Sequence, residues 1–207
     1  MAPEVFATAI RLRLGFDVRP LHDTCAGCAK HMADTKGHAS LKCMKCGHRT
    51  RAHNNLRDTL ADICRTCLLS PSIESKVSNK PGKEGIRADI TFFRSGTMQV
   101  IDTAITHPFR DATTRVAASI TAGAAATLYE DVKVAHYKDV LTKSQSLVPF
   151  VCDTYGALGE TAQLFLQQIV PLFARRLGIP SSIASRIIFG RITGSVIKSM
   201  ATAGTLL

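Results

Sequence analysis

Apolar and polar positions change rhythm several times along this chain, and each change marks an element. Residues 4–14 carry a helical pattern, and a second runs from Arg49 to about Leu68, with Leu56, Leu60, Ile63 and Cys67 on one stripe. Between them, residues 20–48 are rich in Gly, Cys, His and Lys and have no periodicity, which predicts a loop held by something other than a core. Ser70 to Gly85 is polar and reads as a further loop with at most one short strand. The period then shortens. IRADITFF, the turn RSGT and MQVIDTAIT form two β-rich runs around a glycine-containing turn, which predicts a hairpin closed by Pro108. Residues 110–143 predict one long Ala-rich helix, SLVPFVCD a third strand, and residues 157–176 and 181–203 two helices separated at Gly178–Pro180. Helix, hairpin, helix, strand and helices in that order imply an α/β domain with a mixed sheet.

Length adds that 207 residues with 45% hydrophobic content can bury one full core and one small appendage. The net charge of +10 implies attraction to polyanions, of which nucleic acid and anionic membrane are the common cases. Its distribution says more. Residues 1–87 hold 15 Lys/Arg against 8 Asp/Glu, residues 88–160 hold 6 against 8, and residues 161–207 hold 5 with no acid. A slightly acidic centre between basic flanks suits carboxylates that hold a divalent cation while the surroundings attract phosphate. The opening MAPEVFATAIRLRLGF places arginines where a signal peptide needs its apolar run. Arg175, Arg176, Arg186, Arg191 and Lys198 interrupt the apolar C-terminal stretch, so no membrane span is expected. A soluble protein of cytosol or nucleus keeps its thiols reduced, and the seven cysteines, mostly before residue 70, then read as metal ligands sooner than disulfides.

Cys25 and Cys28 form a CxxC pair, and His38 and Cys43 follow at spacings of nine and four intervening residues. Thiolates and an imidazole on a short, core-poor loop are what a tetrahedral structural zinc requires. Cys46 makes a second CxxC with Cys43, so a four-cysteine site using Cys46 instead of His38 is also geometrically possible. His31 and His48 read as bystanders, and buried thiols without metal are the plainer alternative.

The second constellation is acidic. Asp89 lies in the first hairpin strand and Asp102 in the second, with twelve residues between them, a spacing that brings both carboxylates to one end of an antiparallel pair. Charged groups within apolar strands are costly unless paired or metal-bound, so the two together argue for a magnesium site over ordinary strand-end aspartates. Lys133 and Lys138 on the following helix are candidates to point back at the carboxylates, and His53 is a candidate phosphate contact. Taken singly, each is an ordinary surface residue.

In order, Cys25, Cys28, His38 and Cys43, RAHNNLRD at 51–58, RAD at 87–89, Asp102, and KVAHY at 133–137 resemble the restriction-like endonuclease domain of site-specific non-LTR retrotransposon proteins. FATAIRLRLG at 6–15 and VPFVCDTYGALGE at 148–160 are similar to blocks flanking that set, so the resemblance spans about residues 5–180. It implies a restriction-endonuclease-like mixed sheet flanked by helices over 49–207, after an N-terminal helix and zinc-binding segment over 1–48. It also implies a DNA endonuclease in which Asp89 and Asp102 bind magnesium or manganese and Lys133 is the catalytic lysine. Arg51, His53, Arg57 and Arg87 would contact DNA. A nuclear location follows, as do element RNA and the reverse transcriptase domain of a parent protein as further partners; no polymerase signature is visible in this chain. The chain departs from the family pattern at Ala88, where the motif has Pro, at Ala52, where an Arg adjoins the His, and at Cys46, where Gly is frequent; Ala104 stands where many such enzymes carry their lysine. A zinc-containing DNA-binding module without catalysis is the alternative from another class, and a repair or resolvase nuclease is a second.

Overall fold

The computed structural model describes residues 1–18, 28–29, 34–43, 45, 47–78 and 81–205, with backbone alone at 23–24, 31–32, 40 and 203–205. In chain order the elements are α1 (Pro3–Leu14), β1 (Asp23–Thr24), β2 (His31–Met32), α2 (His38–Lys42), α3 (His48–Thr66), β3 (Ser72–Lys76), β4 (Arg87–Arg94), β5 (Thr97–Thr106), α4 (Ala112–Ile120), α5 (Ala124–Tyr137), β6 (Gln145–Asp153), α6 (Glu160–Leu177) and α7 (Ser181–Thr205). The fold is mixed α/β around an open four-stranded sheet of order β3-β4-β5-β6. β3, β4 and β5 pair antiparallel, and β5 pairs β6 in parallel, reached by the α4–α5 crossover. The stretch expected to be an unbroken loop carries the β1–β2 pair and the short helix α2.

The single helix expected over 110–143 is two. Asp111 caps α4 by accepting the Thr114 backbone N–H at 2.7 Å, and α4 ends at Thr121. Gly123 then takes φ +82°, a left-handed conformation that favours glycine, and a Cβ there would collide with the Leu158 carbonyl. Alanine content alone predicts continuation, whereas this tertiary contact imposes the break.

Two cores lie on the two faces of the sheet. The larger gathers Leu56, Leu60 and Ile63 of α3, Ile90, Ile101 and Phe150 of the sheet, and apolar residues of α6 and α7. The smaller sets Ala88 and Val100 against Tyr137 of α5 and Val140. Ala88 and Ile90, two residues apart on one strand, should share a face, yet they are buried in opposite cores. The alternation of β4 therefore slips by one residue at Asp89. Opposite it in β3 stands Glu74, with φ +54°, missing from an otherwise regular β3–β4 register. The strands kink there, and β4 leaves β5 beyond the pair Ile90–Ile101.

Candidate active site

That departure point is where the two acids meet. Extending the β4–β5 register by one residue sets Asp89 opposite Asp102, and the two carboxyl groups lie within hydrogen-bonding reach of one another. Like charges directly across a ladder are destabilising, so the sheet itself gains nothing from them. In place of a ladder bond, the Thr103 backbone N–H donates to Asp89 Oδ2 at 2.6 Å, and the Thr103 hydroxyl reaches the same oxygen at 2.7 Å. His53, on the face of α3 turned to the sheet, sets Nε2 3.1 Å from that oxygen and 3.1 Å from Thr103 Oγ1.

Asp102 is answered from the other side of the sheet. Lys133 Nζ lies 2.7 Å from Asp102 Oδ2. Its reach depends on small neighbours: Ala104, two residues on and on the same face as Asp102, packs with Ala126 and Val151, which lets α5 lie close to β5. Ala126, Tyr129, Lys133 and Tyr137 fall at helical spacing along one side of α5. Ala104 thus leaves room on the strand for Lys133 to reach Asp102 from the helix.

The two carboxyl groups titrate apart. Burial pushes the Asp102 carboxyl above its ordinary value, and the charge of Asp89 adds to that, against the opposing pull of Lys133. Burial also acts upward on Asp89, but hydrogen bonds from His53 and Thr103 outweigh it and hold that carboxyl below its ordinary value. The bond to Asp89 raises His53, against the effect of its own burial. A third buried acid, Asp153, shows the structural contrast: it accepts the Tyr155 and Ala157 backbone N–H groups, each at 2.9 Å, and closes a turn. The partners of Asp89 and Asp102, namely His53, Thr103 and Lys133, instead line a cleft of about 280 Å³ together with Arg49 and Tyr129.

Of the residues singled out from sequence, Asp89, Asp102, Lys133 and His53 come together. Lys138 is exposed just past α5. Arg51 is exposed and lines a separate polar groove between α3 and α7. Arg57 is largely covered, bonded to Asp58 and Glu74, and Arg87 donates to the Glu74 carbonyl at 2.8 Å, so both arginines hold the kinked β3–β4 corner. Cys25 and Cys46 lie outside the described residues, and among the described residues no three His, Cys, Asp or Glu side chains gather as a metal group. His38 Nδ1 lies 3.2 Å from His107 Nε2 and 3.3 Å from the Tyr155 hydroxyl. Among the described residues no helix is long and apolar enough to cross a membrane.

Thr103, Arg49 and Tyr129 escaped sequence reasoning. A threonine in an otherwise apolar strand next to a candidate acid was the available signal for the first; nothing local marks the other two. No family model matches the chain, and no curated protein matches it.

Proposed function

We propose that the protein is a metal-dependent DNA endonuclease of the restriction-like type, cutting through Asp89, Asp102 and Lys133. The observation that carries this reading is the buried Asp102 and the half-buried Asp89 set opposite each other where a strand pair breaks, with a lysine bonded to one and an open cleft lined by their partners His53, Thr103 and Lys133. Hard carboxylate oxygens in this number suit magnesium, which keeps several waters and completes its shell with substrate phosphate. Asp89 and Asp102 would hold it, and the bound ion would offset charge developing on the scissile phosphate. Thr103 and His53 fix the rotamer of Asp89, so that its carboxylate is set before substrate arrives. Lys133 keeps a cation at the lip of the cleft, where it can orient an attacking water or stabilise the phosphate.

Zinc at Cys25, Cys28 and Cys43 with either His38 or Cys46 belongs to the same reading. The Nδ1 contacts of His38 with His107 and Tyr155 mean that zinc binding by His38 would run through Nε2. By the resemblance, the biological task is nicking of a chromosomal target in the nucleus, with element RNA and a reverse transcriptase domain as partners.

The test is relaxation of supercoiled plasmid in magnesium. Wild type is expected to nick, and Asp89→Ala, Asp102→Ala and Lys133→Met each to lose at least about 100-fold in rate. Equal rates for wild type and the two aspartate variants would remove the enzyme and leave the DNA-binding module as the reading.

A further inference from the structure

A second cavity of about 280 Å³ opens on the far side of Arg49 from the acid pair, and Arg49, Ile105 and Tyr129 line both spaces. Its volume falls just below the roughly 300–1,000 Å³ of pockets that take small molecules, and its walls are partly apolar, with Leu41, Ile105 and Met200. Lys42, Arg49 and Arg110 contribute three cations, and no carboxylate lines it. Two of these charges are held by neutral acceptors: Lys42 Nζ donates to the Phe109 carbonyl at 3.2 Å and Arg49 to the Ile105 carbonyl at 3.4 Å. Both side chains are therefore held at the cavity by backbone acceptors. Arg110 pairs with the exposed Asp111, and its guanidinium lies 5.2 Å from the centre of the Tyr129 ring.

A second observation is independent of charge. Thr106 is 3% exposed and lines the same cavity, and its hydroxyl has no hydrogen-bond partner among the described residues. A buried hydroxyl left unbonded is destabilising, and such groups are rare unless something outside the chain completes them. Three cations and an unmet hydroxyl around a small cavity suit a tetrahedral oxyanion, with the guanidinium forks matching its geometry.

The geometry points to a phosphate-binding subsite at Lys42, Arg49, Thr106 and Arg110 that holds a backbone phosphate of the nucleic-acid strand, flanking the phosphate presented to Asp89 and Asp102. This rests on the endonuclease reading for its substrate, and it deepens that reading by fixing the path of the strand: past Lys133 and His53, over Arg49 and Tyr129, into the cationic cavity. Phosphate contacts of this kind set register on the nucleic acid and carry no sequence information.

Binding of a fluorescent DNA duplex to the full chain, followed by anisotropy across a salt series with calcium replacing magnesium, tests the subsite without reading cleavage. Lys42→Gln, at an exposed position, and Arg49→Gln are each expected to weaken binding about tenfold and to lower the slope of log Kd against log salt by about 1. Arg49→Lys should restore the slope, because it restores the charge, but only part of the affinity. Arg175→Gln, at the exposed C-terminal end of α6, is the control for net charge. Inorganic phosphate at millimolar concentration should compete with DNA on wild type more strongly than on Arg49→Gln. Unchanged affinity and slope in both Gln variants, or equal losses in Arg175→Gln, would overturn the subsite, as would phosphate binding that leaves DNA affinity untouched. A wild type that binds DNA in this way and never nicks plasmid would sink the nuclease and keep the subsite; nicking with unaffected Gln variants would do the reverse.

Discussion

Asp89 and Asp102 face each other where β4 leaves β5, and each buried charge is balanced differently. Asp89 collects hydrogen bonds from Thr103 and His53, while Asp102 has the ammonium of Lys133. The His53–Asp89 contact gives a pH signature in metal-free buffer. His53 is raised above its ordinary 6.5, so its contribution to stability is fully present below that pH and is lost as pH rises through the raised value. Asp89 is lowered below its ordinary 3.8, so its contribution is present above that pH and is lost as pH falls through the lowered value. The pair therefore stabilises the fold most between about pH 4 and 6.5. Chemical denaturation of wild type and His53→Gln should differ by about 1 kcal/mol in that window, allowing for a side chain partly open to solvent, and converge near pH 9. A constant difference across the range would mean that His53 acts through packing and not through its proton.

At the scale of elements, one buried carboxylate holds two helices in register. Glu130 of α5 is 3% exposed and accepts the Thr161 N–H at 2.9 Å and the Ala162 N–H at 3.0 Å, capping the start of α6 from another element. Gly159 sits against that carboxylate with no room for a Cβ. Glu130→Ala leaves both donors unmet and should cost about 2 kcal/mol, or roughly 4–8 °C in Tm for a chain of this size. A Tm within about 1 °C of wild type would show that water replaces the cap. Capping of this kind also marks the limit of what the sequence discloses. The hairpin, α3, β6 and the two C-terminal helices follow from apolar period and from the Gly178–Pro180 break, because these are local signals. The break at Gly123 does not, because Leu158, far along the chain, imposes it. Asp89 and Asp102 were legible as charged residues within apolar strands, and Lys133 and His53 joined them only through the ordered resemblance, while the structural roles of Arg57 and Arg87 were not legible. Both arginines resemble surface phosphate contacts in sequence, and only the left-handed turn at Glu74 brings them to the β3–β4 corner.

Over the whole molecule, a +10 chain keeps its centre slightly acidic and places cations around two neighbouring clefts that share Arg49, one reaching Lys133 and the other Lys42 and Arg110. Such a field favours a polyanion, and on the proposed endonuclease reading the acid pair would need a divalent cation before phosphate could approach it. Manganese titrated into the full chain with an uncleavable phosphorothioate duplex, followed by electron paramagnetic resonance, tests that requirement most directly. The account predicts a bound ion per chain that disappears in Asp102→Ala and in Asp89→Ala while the duplex remains bound. Equal manganese binding by wild type and both variants, or none in any of them, would contradict it.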